Sequence, residues 1–148
     1  MLKISLMSTD DAEDILKMMR VFYASQAVAT NGSEEIFRND INNCVGGCPF
    51  LEGYTFSYNN SVAGYAMIAK SFSTEFGKPC IWIEDIFVKQ EYQGKGIGTK
   101  FLDYIEQKYP NCIFRLEVEE YNHAAIKLYK KSGYDFLPYM EMKKDIKP

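Results

Sequence analysis

Three glycines, Gly94, Gly96 and Gly98, occupy every second position between an apolar run and an amphipathic one. Glycine loses more chain entropy on folding than any other residue, so an ordered segment that contains three of them sacrifices stability. At a strand-to-helix junction the first helical turn has unpaired N–H groups and partial positive charge from the helix dipole, which together attract anions. Lys95 and Lys100 would add positive charge at the rim. The segment therefore predicts a phosphate-binding turn.

Three phosphate ligands and one structural explanation compete for this turn. A dinucleotide site needs glycines near the start of its βαβ unit and an acidic residue about 20 positions later. Glu117, Glu119 and Glu120 lie at that distance, but two predicted helices and a hairpin precede the glycines. A nucleoside triphosphate loop needs GxxxxGK[ST], which the sequence lacks. Both of these interpretations are weak, and the pyrophosphate of coenzyme A and a tight turn without a ligand are the other two.

A second pattern lies one predicted strand later. Gln93-x-x-Gly96-x-Gly98 is followed by the string NHAAIKLYKKSGY. The spacing in that string is carried by Asn122, Ala125, Leu128, Tyr129, Gly133 and Tyr134. The two patterns at this separation resemble the GNAT superfamily of N-acetyltransferases, closely over residues 81–136, whereas residues 22–60 carry no motif that aligns.

The resemblance implies acetyl-CoA as co-substrate and no metal. In the family the backbone of the central strand, here Ile86, Phe87 and Val88, pairs with pantetheine as an added strand would. Main-chain amides of the glycine turn would hold the pyrophosphate. These are the amides of Gln93, Gly94, Lys95, Gly96, Ile97, Gly98 and Thr99. Asn122 and Ala125 would lie near the pantetheine arm.

Acetyl transfer from a thioester to an amine requires a neutral amine and a proton for the departing thiolate. Tyr129 matches the family tyrosine beside the coenzyme sulfur, so its hydroxyl is the candidate general acid. By spacing alone, Tyr129 would instead be a core aromatic residue. Glu84 is the candidate base or water-positioning group, because a free amine with a pKa near 10 must lose a proton before it attacks. A salt-bridged or loop-capping role for Glu84 is the alternative.

Asp85, next to Glu84, is a candidate substrate-binding residue, since an acidic pair occupies this strand in relatives that resemble the spermidine/spermine acetyltransferases. Alternate strand residues face opposite sides, so only one of the two lines a given cleft wall unless a bulge intervenes. Acidic residues could favour a cationic, polyamine-like acceptor; the candidates are Glu52, Glu75, Glu84, Asp85 and Glu119. A peptide amine or a free amino acid would fit almost as well.

Two other functional classes remain open at this stage. A non-catalytic acyl-CoA sensor would keep the glycine turn without turnover, although the presence of Tyr129 argues against it. A nucleotide-binding module would use the same turn for a different phosphate. The resemblance also makes a homodimer an option, and neither nucleic acid nor a membrane is an expected partner.

Composition is that of an ordinary globular domain. The 148 residues are 47% hydrophobic and 25% charged, with a net charge of −3 that argues against general nucleic-acid binding. The four cysteines show no zinc-ribbon spacing and are expected to be reduced thiols. We expect one domain over 1–148, without a secretory signal and therefore cytoplasmic.

Periodicity and turn signals predict the order of the elements. Strands are expected at 2–6, 80–89 and 112–120, a hairpin at 53–73 turning at Asn59 and Asn60, and helices at 8–26, 33–45, 97–109 and 122–134. Two short final strands are expected within 135–146. The predicted fold class is mixed α/β, of the α+β kind: a GNAT-like acyl-CoA N-acyltransferase fold. Its central sheet would be mostly antiparallel with one parallel βαβ crossover, flanked by helices.

Overall fold

A five-stranded mixed sheet forms the centre of the computed structural model, which describes residues 1–25, 27–28 and 32–148. The strands are β1 (Leu2–Leu6), β2 (Leu51–Tyr58), β3 (Ser61–Ser73), β4 (Lys78–Val88) and β5 (Ile113–Leu116). They lie side by side in chain order, antiparallel from β1 to β4, and β5 pairs parallel with β4. The predicted mostly antiparallel sheet with one parallel crossover is confirmed.

Four helices flank the sheet: α1 (Ala12–Tyr23), α2 (Glu34–Val45), α3 (Ile97–Lys108) and α4 (His123–Lys131). A short 3₁₀ turn precedes α1, where the Ser8 N–H donates to Asp11 Oδ2 at 3.0 Å. Ser33 caps α2 by accepting from the Ile36 N–H at 3.2 Å. The predicted end of the first helix, Gln26, lies outside the described residues.

Each face of the sheet has its own hydrophobic core. On one face α3 and α4 pack against β4 and β5 through residues such as Ile83, Phe101 and Ile105. On the other face α1 and α2 pack against β3 and β4 around Tyr65 and Met67. The phosphate-binding turn begins α3, so a ligand held there reaches the sheet from the α3–α4 face.

The predictions of a tight hairpin turn and of reduced cysteines are both confirmed. Asn59 and Asn60 have positive φ values of 50° and 68°, the conformation that a tight hairpin turn demands. All four cysteines are free. Among the described residues, no helix combines the length and the apolarity needed to cross a bilayer.

The expected final strands are wrong. After α4, residues 135–148 form no strand, and β5 ends at Leu116, short of the expected 120. Side chains here stay exposed, Met140 at 95% and Met142 at 93%. A strand needs a hydrogen-bonded neighbour, which alternating apolar residues do not provide by themselves, and Pro138 has no N–H to donate.

Candidate active site

The parallel strands β4 and β5 separate halfway along β4. Their pairing runs from Cys80 opposite Ile113 to Ile83 opposite Leu116 and then stops, while β4 continues to Val88. The backbone from Ile86 onward therefore has no strand beside it on that edge within the described chain. A cavity of about 1400 Å³ lies at this opening, lined by β4, β5, α4, the end of α1 and the C-terminal segment.

A β-bulge in β4 places Glu84 at the opening. Met67 of β3 pairs with Asp85, and the next residue, Ile68, pairs with Ile83, so Glu84 is the extra residue without a partner. A bulge re-aims side chains and breaks the alternation of faces. Glu84 is exposed and lines the cavity, and Asp85 is buried against the α1 side.

Asp85 is held by two tyrosine hydroxyls. Its side chain is only 3% exposed, Tyr65 donates to Oδ2 at 2.7 Å, and Tyr23 donates to Oδ1 at 2.9 Å. Burial raises the Asp85 pKa, and the two hydrogen bonds act in the opposite direction. The cavity is lined by Tyr23 and not by Asp85, so the expected substrate contact of Asp85 would have to act through Tyr23.

The surroundings of Glu84 favour its protonated form. Although part of the Glu84 side chain is exposed, the surrounding protein desolvates the carboxyl group and raises its pKa, and the nearby carboxylates of Asp85, Glu141 and Asp40 raise it further. A carboxylate with a raised pKa is a stronger base once it is ionised. This environment suits a group that takes a proton from an amine.

Glu117 is a cavity residue that the sequence motifs did not assign to acetyl transfer. It follows Arg115 at the end of β5 and lies beside Glu141 of the C-terminal segment. Protonated Glu117 donates a hydrogen bond to Glu141, and this contact, together with burial and the charges of Glu141 and Glu84, raises the Glu117 pKa to about 7. No local spacing indicates this, because Glu141 comes from a segment whose path the sequence did not predict.

Only some of the acidic residues predicted to favour a cationic acceptor lie at the cavity. Glu84 and Glu119 line the cavity. Glu52 lies elsewhere, accepting from Tyr109 at 2.8 Å and from Lys108 at 3.2 Å, and Glu75 accepts from Tyr139. These partners give Glu52 and Glu75 structural roles.

Tyr129 approaches the same cavity from α4. It is 9% exposed, belongs to the core on the α3–α4 face and stacks on Tyr134 with ring centroids 5.8 Å apart. Its hydroxyl forms no hydrogen bond within the described part of the chain. Burial raises the Tyr129 pKa to about 12, so the phenol stays protonated at neutral pH. Tyr129 is both a core residue and a proton donor available to the cavity.

The glycine turn leaves its backbone uncovered. Gly94 and Gly96 have φ values of 80° and 75°, and a Cβ on either would meet no atom within 4 Å. Gly96 is the N-cap of α3 and provides no side-chain cap, so the first amides of the helix remain available to an anion. Gly98 also serves packing, since a Cβ there would lie 3.1 Å from Leu128 of α4.

Two polar side chains of the motifs serve the local structure. Asn122 Oδ1 accepts from the Ala125 N–H at 3.3 Å and so caps α4 at the cavity wall. Gln93 Nε2 donates to the Val88 carbonyl oxygen at 3.2 Å, which ties the glycine turn to the end of β4. The other residues predicted to bind the coenzyme would contribute mainly backbone groups, along the end of β4 and the glycine turn.

Comparisons with known proteins agree with this geometry. The mouse thialysine N-epsilon-acetyltransferase is 38% identical over 80 residues, 52% of this chain and 46% of that protein. A spermine/spermidine N(1)-acetyltransferase of Bacillus subtilis strain 168 is 26% identical over 95 residues, 60% of this chain and 62% of that protein. The matches thus span about half to three fifths of these relatives.

A solved structure of similar fold is a predicted acetyltransferase with acetyl-CoA from Clostridium acetobutylicum. It has a TM-score of 0.76 at 18% identity and covers 97% of this chain and 96% of its own. The profile described as the acetyltransferase (GNAT) family matches residues 16–134. The order of strands, the separation of β4 from β5 and this match lead to one assignment: the chain belongs to the GNAT acetyltransferase family.

Proposed function

We propose that the protein is an acetyl-CoA-dependent N-acetyltransferase that moves an acetyl group to a primary amine by direct attack in a ternary complex. One observation carries the proposal. Glu84 of β4 and Tyr129 of α4 line one cavity, which lies where β4 leaves β5. A candidate base and a candidate acid thus border the space that a ligand along the open edge of β4 would enter.

The coenzyme would be held mainly by backbone groups. The amides from Gly94 to Thr99 lie at the uncovered N-terminus of α3, where a pyrophosphate is favoured, whereas the Gln93 N–H already donates to the Gln90 carbonyl oxygen at 3.2 Å. The open edge at Ile86–Val88 would pair with an extended chain. When bound, acetyl-CoA supplies an acetyl thioester. The acetyl-CoA in the Clostridium acetobutylicum structure supports this choice of coenzyme.

Two side chains would move the protons. Glu84 Oε accepts a proton from the ammonium form of the acceptor, directly or through water, and produces the neutral amine that attacks. Tyr129 Oη donates a proton to the leaving sulfur, and its protonated state at neutral pH fits that role. Direct attack requires no nucleophilic side chain, so the protein itself stays unacetylated.

The acceptor would be a cationic amine, either a small molecule or a peptide. Among the described residues six carboxylates and four basic side chains line the cavity, and this excess of acids favours an ammonium group over an anion. The acids are Glu84, Glu106, Glu117, Glu119, Asp135 and Glu141. The relatives named for thialysine and for spermine both acetylate amines, which supports the same class here.

The test is a panel of amines, including diamines, polyamines, amino acids and peptides, assayed by release of free coenzyme A thiol. Mass spectrometry of the product would show an added acetyl group on the amine. A thermal-shift comparison of acetyl-CoA, NAD and ATP would identify the ligand of the glycine turn separately. If acetyl-CoA binds but no amine is acetylated, the protein is a sensor; stabilisation by NAD or ATP alone would overturn the coenzyme assignment.

A further inference from the structure

Arg115 lies on the side of β5 that faces away from α3 and α4. It is on β5, directly opposite Trp82 of β4. Its neighbours Phe114 and Leu116 pack into the core on the α3–α4 face, so alternation directs Arg115 to the other face. Trp82 and Arg115 both line the cavity that Glu84 also lines. Arg115 therefore belongs to the half of the site where an acceptor would approach.

The guanidinium of Arg115 is positioned but not satisfied. Its Cζ lies 4.7 Å from the centre of the Trp82 ring, a stacking contact that fixes the plane of the group. Its Nε is buried and has no hydrogen-bond partner in the described structure. None of the ion pairs found among the described residues involves Arg115. A buried donor left unpaired costs stability, which a bound acceptor group would recover.

Neither the neighbouring acids nor the coenzyme phosphates account for these donors. Glu117, the residue after the end of β5, lies beside Glu141 and is in none of the ion pairs found among the described residues. The phosphate-binding turn follows Val88, six residues beyond Trp82, or about 20 Å along an extended strand. The missing partner of Arg115 is thus a group brought in by the acceptor.

We propose that Arg115 binds a carboxylate of the acceptor, so that the preferred acceptors are amino acids with a side-chain amine. The inference rests on the proposed acetyltransferase function. A planar guanidinium matches a carboxylate with two parallel hydrogen bonds. Glu84 is two residues from Trp82 on β4, so its Cα lies within roughly 8 Å of the Arg115 Cα. A molecule of lysine length would reach both groups, with its amine near Glu84.

The test compares three acceptors that differ at one group: L-lysine, L-lysinamide, which has no carboxylate charge, and 1,5-diaminopentane, which lacks the carboxyl group altogether. The wild-type protein should have a kcat/KM for L-lysine that is about 10- to 100-fold higher than for the other two, the range expected for a charge-assisted bidentate contact. Arg115→Gln should remove this preference by raising the KM for L-lysine. Its kcat/KM for 1,5-diaminopentane, which has no carboxyl group to lose a contact, should not fall.

Arg115→Lys keeps the positive charge but lacks the planar group with two parallel donors. It should therefore retain only part of the preference for L-lysine that Arg115→Gln loses. The acetyl-CoA dissociation constant and the melting temperature serve as controls for folding. If Arg115→Gln does not fold, the ranking of the three acceptors by the wild-type protein still shows whether a carboxylate on the acceptor is recognised. Acetylation of diamines or polyamines in preference to L-lysine would overturn the role of Arg115 and leave the acetyltransferase function standing. No acetylation of any amine would remove both.

Discussion

Replacement of Tyr129 by Phe separates proton donation from packing. The ring, its stacking on Tyr134 and its place in the core are retained, and the hydroxyl that is removed has no hydrogen-bond partner in the described structure. The free energy of unfolding should therefore change by less than about 1 kcal/mol, which corresponds to less than about 4 °C in Tm. Affinity for acetyl-CoA should be nearly unchanged, because the lost interaction forms mainly in the transition state.

Turnover should fall much more. General acid catalysis contributes about 10²- to 10⁴-fold, or roughly 3–5 kcal/mol of barrier. The assay is release of free coenzyme A thiol with an acceptor from the amine panel, at saturating acetyl-CoA, beside a melting curve and an acetyl-CoA titration. Single-turnover rates would ensure that the chemical step is the one observed.

Tyr134→Phe is the matched control for this experiment. Tyr134 lines the same cavity, and its ring packs at a tilt against the ring of Tyr129. Its hydroxyl is buried and has no hydrogen-bond partner in the described structure. Its removal should leave turnover within about threefold. The reasoning is refuted if Tyr129→Phe also stays within about threefold when chemistry limits the rate, or if both variants lose the same large factor.

Three further predictions follow from the turn, the bulge and a buried acid. Gly96→Val should weaken acetyl-CoA binding in a titration, whereas Gly77→Val, which has a similar positive φ of 64° and equally open surroundings, should leave affinity unchanged; equal losses would contradict a binding role for the turn. Glu84→Gln should lower kcat/KM most at pH values above the Glu84 pKa where the amine is still protonated, with a deficit that shrinks toward about pH 10, and a pH-independent loss would point to positioning. Burial, with the charge of Asp85, raises the Asp40 pKa to about 6, so the stability of the protonated form is lost as pH rises through that value. Asp40→Asn should therefore raise the Tm at pH 8 but not near pH 4, and an equal shift at both would disprove the assignment.

Local sequence signals predicted correctly those features of the fold that depend on residues close together in the chain. The glycine turn, the Asn122 cap and the Asn59–Asn60 hairpin each follow from backbone preferences within a few positions. The order of elements followed from periodicity. These features are enough to predict that the glycine turn begins one helix and that Tyr129 lies on the next.

The finer arrangement of the site depends on contacts between distant residues. The bulge at Glu84 is set by the register of β4 against β3, which no single strand encodes. Asp85 is bound by Tyr23, 62 positions earlier, so its burial could not be deduced from its acidic character. The expected final strands were wrong because alternation indicates a strand without identifying its partner.

Transfer of a labelled acetyl group distinguishes direct attack by the amine from a route through an acetylated protein. The protein would be incubated with acetyl-CoA labelled in the acetyl group, first alone and then with an acceptor from the amine panel. The mass of the intact protein and the product would be followed together. Direct attack predicts that the label appears on the amine in equal amount to the thiol released, with the protein mass unchanged throughout. Thiol release without acetylated amine, or label that accumulates on the protein and then passes to the amine, would contradict the account.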